Sequence, residues 1–239
     1  MELTLVIPAY NEGDIIGDTA RAILHSLPHK FDGFELIVVD DGSTDHTSQI
    51  LRGIPDVTVI RHEKNMGKGR AVRTGLSQSR GDMVFFTDAD LAYGLDVIVT
   101  GASLLKDTGA SIALGSRKLH KGGYGDYPPL RTLASKCFSL VLHTVSGIGY
   151  DTQCGIKGFT WHVARDIARH CTCDGYTFDF EAMMLSKRRG YTVAEMPVKI
   201  INHRESKVNV ARESFMMLRE IATIKQRIRK EQLWENTVS

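Results

Sequence analysis

The chain has 239 residues, 42% of them hydrophobic and 24% charged, with a net charge of +2. That leaves room for one substantial α/β core and too little net charge for a dedicated nucleic-acid binder. No stretch reaches the roughly 20 apolar residues that span a bilayer, and Met1 to Ala9 lacks the basic leader of a secretory signal.

The first 116 residues alternate strand and helix patterns. Leu3–Ile7 is a short apolar run ended by Pro8. Asp14 to Leu27 has helical spacing at Ile15, Ile16, Ala20, Ile23, Leu24 and Leu27. Glu35–Val39 reads as the second strand and Asp40-Asp41-Gly42-Ser43-Thr44 as the turn after it. Ser43 or Thr44 would cap a helix from Asp45 to Leu51. Val57–Arg61 is a third strand, and the glycine-bearing loop Asn65 to Gly69 opens a helix to Ser79. Asp82–Thr87, the helix Leu95–Lys106 and Ser111–Ser116 complete the run. Strands separated by helices of this length predict βαβ units and a mostly parallel, Rossmann-like sheet flanked by helices.

After Ser116 the rhythm breaks. The turn-rich stretch His120 to Pro129 is either a passive connector or a lid over a substrate. Helical patterns follow at Leu130–Val145, Trp161–His170 and Phe180–Arg189, then a strand-like Thr192–Ile201. Val208 to Trp234 predicts a long amphipathic helix with Lys225, Arg227, Arg229 and Lys230 at its end. Its apolar face either packs on the domain or lies on an anionic membrane. The organisation expected is a catalytic unit over 1–207 and this terminal helix and tail over 208–239. Cys137, Cys154, Cys171 and Cys173 fit neither zinc-ribbon nor redox-motif spacing, which points to reduced thiols and a cytosolic protein.

The chemistry gathers where strands end. Asp88-Ala89-Asp90 follows the buried run Met83 to Thr87, and side chains two apart on extended backbone share a side. Two convergent carboxylates at the carboxyl end of a parallel strand suit Mg²⁺ or Mn²⁺ carrying a substrate phosphate. A solvated acidic turn is the plain alternative. Pro8-Ala9-Tyr10-Asn11-Glu12 and Asp40-Asp41 end two other strands at the same edge, where Tyr10 could face a base and a carboxylate accept from it. Gly67-Lys68-Gly69-Arg70 could put backbone N–H groups and cations near a phosphate, although a helix cap with solvated basic residues is the more common meaning of such a stretch.

Taken in order, Val6 to Glu12, Val38 to Asp45, Asn65 to Gly69 and Asp88 to Asp90 resemble the inverting family 2 glycosyltransferases of GT-A fold. Asp151-Thr152-Gln153-Cys154-Gly155-Ile156-Lys157, Phe178 to Glu181 and Ser206-Lys207 are similar to the polyprenyl-phosphate sugar transferases, especially the dolichyl-phosphate glucosyltransferase branch. The resemblance implies a UDP- or GDP-linked sugar donor, a divalent cation and a polyprenyl-phosphate acceptor. It implies that Pro8, Ala9, Tyr10, Asn11, Glu12, Asp40, Asp41, Lys68 and Ala89 bind the donor and that Asp88 and Asp90 bind the metal. Arg117, Arg131, Ser135, Gln153, Arg204 and Lys207 would meet the acceptor. Asp179 and Glu181 are the candidate catalytic carboxylates, needed as a base only if the acceptor is a hydroxyl. The related mannosyltransferases commonly follow the metal motif with Gln. Here Leu91-Ala92 stands in that place, which leans toward a glucose-type donor. A lipid acceptor would be met peripherally, at the inner face of a membrane, through the basic helix. Transfer to a soluble or saccharide hydroxyl and a non-catalytic sugar-nucleotide binding module are the alternatives. Nucleotidyl transfer is disfavoured, since Asn11-Glu12-Gly13 cannot cradle a triphosphate.

Overall fold

The computed structural model describes residues 1–123, 142–144, 146–202, 217 and 219–228. Among the described residues, seven strands form one mixed sheet in the order β3-β2-β1-β4-β6-β5-β7. They are β1 (Glu2–Ala9), β2 (Gly33–Asp40), β3 (Val57–Arg61), β4 (Met83–Phe86), β5 (Ile112–Ser116), β6 (Lys157–Thr160) and β7 (Val193–Pro197). The helices are α1 (Ile16–Ser26), α2 (Thr47–Arg52), α3 (Lys68–Gln78), α4 (Asp96–Thr108), α5 (Trp161–His170) and α6 (Phe178–Arg189).

Alternation along β1 divides the core into two layers. Leu3, Leu5 and Ile7 pack with α1 and α4 residues such as Ile16, Ile23, Ile98 and Leu105. Val6, together with Ile37, Val84 and Phe86, faces α3, α5 and α6 through Val72, Val163 and Phe178. Both faces of the sheet are covered, as the apolar runs in its strands require. Pro8 is tolerated in this central strand because β4 pairs only as far as Val6.

β1, β2, β3 and β4 run parallel, whereas β6 is antiparallel to both β4 and β5. The sheet therefore brings the carboxyl ends of β1, β2, β4 and β5, and the amino end of β6, to one edge. The sequence pattern gave no hint of β6. It is only four residues long and opens with a fully buried lysine, Lys157, which breaks its apolar run. β7 is shorter than the predicted Thr192–Ile201 and ends at Pro197. Neither Ser43 nor Thr44 caps α2. That helix starts at Thr47, whose N–H and hydroxyl both donate to Asp45 Oδ1, at 2.9 and 2.5 Å.

Most of the predicted helix Leu130–Val145 lies outside the described residues, as do Arg131, Ser135, Arg204 and Lys207. Of the terminal helix, 219–228 is described. Ile221, Ile224 and Ile228 are buried against Leu142 and Phe180, so this apolar stripe packs on the domain. Among the described residues no helix is long and apolar enough to cross a membrane.

Candidate active site

The loops at the sheet edge are stapled to one another by short polar side chains. Asn11 has a left-handed backbone (φ 54°), its N–H donates to Ser43 Oγ at 2.9 Å, and its Oδ1 accepts from Thr44 N at 2.8 Å. The Glu12 N–H donates to Thr47 Oγ1 at 2.8 Å. This leaves Tyr10 at the tip of β1 with 42% of its surface exposed, open to stack on a planar ligand.

The two carboxylates that end β2 divide their work. Asp40 is fully buried. Its Oδ1 accepts from Ser43 N at 2.8 Å and its Oδ2 lies 3.3 Å from the Arg61 guanidinium. It is enclosed by the protein and holds the turn after β2. Asp41 accepts from Met66 N (2.9 Å), Gly67 N (2.7 Å) and His62 Nδ1 (2.7 Å). His62 Nε2 in turn lies 3.0 Å from Thr74 Oγ1. Sequence reasoning passed over His62, and its one signal was a polar residue directly after a strand.

That anchoring sets the start of α3. Gly67 adopts φ 101°, and a Cβ there would lie 2.4 Å from Asp174 O, so only glycine lets the chain pass. Lys68 follows, and its Nζ reaches Asp88 Oδ1 at 2.6 Å. Burial alone would lower the Lys68 pKa. The Asp88 carboxylate, with Asp179 and Tyr176 adding to it, outweighs burial and keeps the ammonium charged well beyond the ordinary lysine range.

Asp88 and Asp90 stand where β4 runs out. The Ala89 carbonyl accepts from Thr19 Oγ1 at 2.7 Å, which ties the motif to α1. Asp90 Oδ1 accepts from Ala92 N at 3.1 Å, and Leu91 turns the chain at φ 48°. Asn202 Nδ2 donates to the carbonyls of Asp90 and Leu91 at 3.2 and 3.3 Å, and Ile201 N to that of Ala92 at 2.8 Å. On the far side, a Cβ at Gly155 would sit 2.3 Å from Asp88 Oδ2. Burial first, then the neighbouring Asp88 charge, raise the Asp90 pKa. Two hard oxygen donors thus lie close enough to act on each other's charge, with Lys68 paired to one of them among the described residues. That donor set fits a small divalent cation with positions left for water and phosphate.

The second half of the chain lines the same edge with buried ion pairs. Lys157 is fully buried at the start of β6. Its Nζ donates to Cys154 O at 2.6 Å, pairs with Asp179 Oδ1 and lies 5.4 Å from the centre of the Phe86 ring. Arg117, expected on an acceptor phosphate, gives its Nε and Nη2 to Asp151 at 2.8 Å each. Burial opposes the Asp151 charge, but the Arg117 hydrogen bonds and charge hold its pKa below the usual carboxylate range. Gln153 Nε2 is buried with no hydrogen-bond partner among the described residues.

Glu181 does not present a free carboxylate to the edge. It accepts from Thr172 N at 3.0 Å and Cys173 N at 2.7 Å, and the Arg227 guanidinium of the terminal helix sits on it. Burial would raise its pKa, yet the Cys173 N–H and Arg227 bring it below the ordinary value. Both Glu181 oxygens hold 172–173 and 227, which gives this carboxylate a structural part in the fold.

The open sheet, its switch from parallel to antiparallel pairing, and the carboxylate-lined edge define a GT-A-type fold of nucleotide-sugar enzymes. Residues 4–183 match the family model "Glycosyl transferase family 2", and the chain belongs to that family. A dolichyl-phosphate beta-glucosyltransferase of Trichomonas vaginalis is 33% identical over 224 residues, covering 87% of this chain and 66% of that protein. The Saccharomyces cerevisiae dolichyl-phosphate beta-glucosyltransferase is 30% identical over 248 residues, covering 93% and 74%. This chain therefore spans about two thirds to three quarters of the length of these relatives. Among solved structures, glucosyl-3-phosphoglycerate synthase from Mycobacterium tuberculosis, in complex with Mn²⁺, UDP and glucosyl-3-phosphoglycerate, superposes with a TM-score of 0.67 at 22% identity. That match covers 93% of this chain and 78% of the other. At that identity the likeness shows the fold alone.

Proposed function

We propose that this chain is an inverting glycosyltransferase that moves a hexose, glucose rather than mannose, from a nucleoside-diphosphate sugar to a polyprenyl phosphate. The names of its relatives support the sugar and the lipid acceptor. Asp88 and Asp90 would hold Mg²⁺ or Mn²⁺ on the donor diphosphate. When bound, that ion supplies charge stabilisation for the departing diphosphate. Tyr10, with Pro8, Ala9 and Glu12 beside it, would face the nucleoside, and Asp41 would accept from it.

The observation that favours a phosphate acceptor is the state of Asp179. Its carboxylate is buried and its Oδ1 is paired with the Lys157 ammonium, so it is committed to an internal cation. A phosphate monoester with a second pKa near ~6 is already ionised at neutral pH and needs no base. Its oxygen attacks the anomeric carbon as the bond to the diphosphate oxygen breaks, and the bonding pair leaves with the nucleoside diphosphate. No proton changes hands. A hydroxyl acceptor would need Asp179 released from Lys157.

Arg131, Ser135, Arg204 and Lys207 remain the proposed contacts of the acceptor phosphate, with Gln153 presenting its unpartnered amide. Membrane contact would come through the basic side chains of the terminal helix, because its Ile221, Ile224 and Ile228 stripe is covered. The test is transfer from radiolabelled UDP-glucose with Mn²⁺ to polyprenyl phosphate in detergent, run beside soluble hydroxyl acceptors. Label should enter the organic phase. Label entering only a soluble hydroxyl product would overturn the acceptor assignment.

A further inference from the structure

Lys68 stands where an incoming cation has to bind. Its Nζ lies 2.6 Å from Asp88 Oδ1, and Asp88 Oδ2 is backed by Gly155, so the carboxylate is pinned between an ammonium and a backbone that admits no side chain. The Lys68 position is itself set by the Gly67 turn and by the two N–H groups that Met66 and Gly67 give to Asp41. The neighbouring Asp179 already has its own cation in Lys157. Among the described residues, Lys68 is thus the ammonium that meets Asp88 and acts on Asp90, with Asp179 drawing on it as well.

We propose that Lys68 is a built-in placeholder for the divalent cation. Its ammonium neutralises Asp88 in the donor-free protein and must leave before a divalent ion can be held there. This rests on the assignment of Asp88 and Asp90 as metal ligands. An ammonium and a divalent ion cannot share one carboxylate oxygen without strong mutual repulsion. A lysine is a compact charge on a flexible stem, able to swing from a carboxylate to a phosphate. A nucleoside diphosphate offers that second partner, so diphosphate and cation binding are coupled through the side chain. By linkage, each tightens the other by the same factor. The device keeps the site from filling with metal until a donor arrives.

The test is Mn²⁺ titration followed by electron paramagnetic resonance, without nucleotide, on wild type, Lys68→Gln, Lys68→Arg, Asp88→Asn and Asp90→Asn. Lys68→Gln should bind Mn²⁺ at least about tenfold more tightly than wild type, the scale of a close charge pair. Lys68→Arg should gain nothing, and UDP should tighten Mn²⁺ binding more in wild type than in Lys68→Gln. Unchanged affinity in Lys68→Gln, with affinity still lost in Asp88→Asn, would overturn the placeholder and leave the metal site standing. Unchanged affinity in Asp88→Asn and Asp90→Asn would instead remove the metal site itself. A second readout needs no variant: in a nucleotide-free crystal soaked with Mn²⁺, Lys68 Nζ should lie beyond about 4 Å, the limit of an ion pair, from Asp88. Simple through-space repulsion would leave the Lys68–Asp88 contact intact beside the metal, and that result would refute displacement.

Discussion

Replacing Lys157 with methionine keeps the length of the side chain and removes the charge that balances Asp179. Both partners are buried, and Lys157 Nζ also donates to Cys154 O at 2.6 Å. Breaking one side of a buried ion pair strands the other charge and costs about 3–5 kcal/mol. The Lys68 ammonium attracts Asp179 as well, which places the expected loss near the lower end, about 3 kcal/mol. For a chain of this length that corresponds to a fall of roughly 6–12 °C in Tm. Urea unfolding of Lys157→Met, Asp179→Asn and the double variant measures the coupling directly. The double variant should recover about 2 kcal/mol of the summed single losses, because it leaves no stranded charge. A single loss under about 1 kcal/mol, or strict additivity, would refute the claim that this pair is charged and dependent on itself.

Two other perturbations read the remaining ties. Glu181 has a folded-state pKa below its unfolded value, so its contribution is fully present above the unfolded pKa and disappears as pH falls through the folded one. Wild type should accordingly be more stable than Glu181→Gln at neutral pH, with the gap closing in acid; a gap that stays constant down to about pH 3 would contradict it. Gly155→Ala puts a Cβ 2.3 Å from Asp88 Oδ2 and should push that carboxylate out of place. Mn²⁺ affinity measured by calorimetry should fall about tenfold or more, as for a misplaced ligand or its support, while far-ultraviolet circular dichroism stays native. Undiminished affinity would mean that Asp88 is not a ligand.

The parts of this molecule legible in the sequence are those with strong local signals. β1 to β5 are bounded by punctuating glycine, proline and aspartate, and Asp88 and Asp90 follow β4 as the sequence order requires, although 89–90 form a turn closed by Leu91 N donating to Asp88 O at 3.1 Å and not the extended backbone that period-two spacing assumes. What escaped depends on contacts distant in the chain. β6 has four residues, too few for a period, and its burial is set by β4 and β5 on either side. The pairing of Lys157 with Asp179, and of Arg117 with Asp151, joins residues 22 and 34 apart through topology alone. Glu181 reads in sequence as a carboxylate in a conspicuous motif, and only folding shows its oxygens consumed by Thr172, Cys173 and Arg227. α6 is buried on nearly all sides, which erases the helical stripe that would have placed its first turn.

The central claim is that Asp88 and Asp90 grip a divalent ion on a nucleoside diphosphate. It is tested most directly by thermal unfolding with UDP or GDP, each with and without Mn²⁺, in wild type and Asp90→Ala. A ligand that binds only the folded state at about 100 times its Kd stabilises by about 2.7 kcal/mol. Wild type should show a metal-dependent rise in Tm with one of the two nucleotides, and Asp90→Ala should show none. Equal shifts in both proteins would contradict the account.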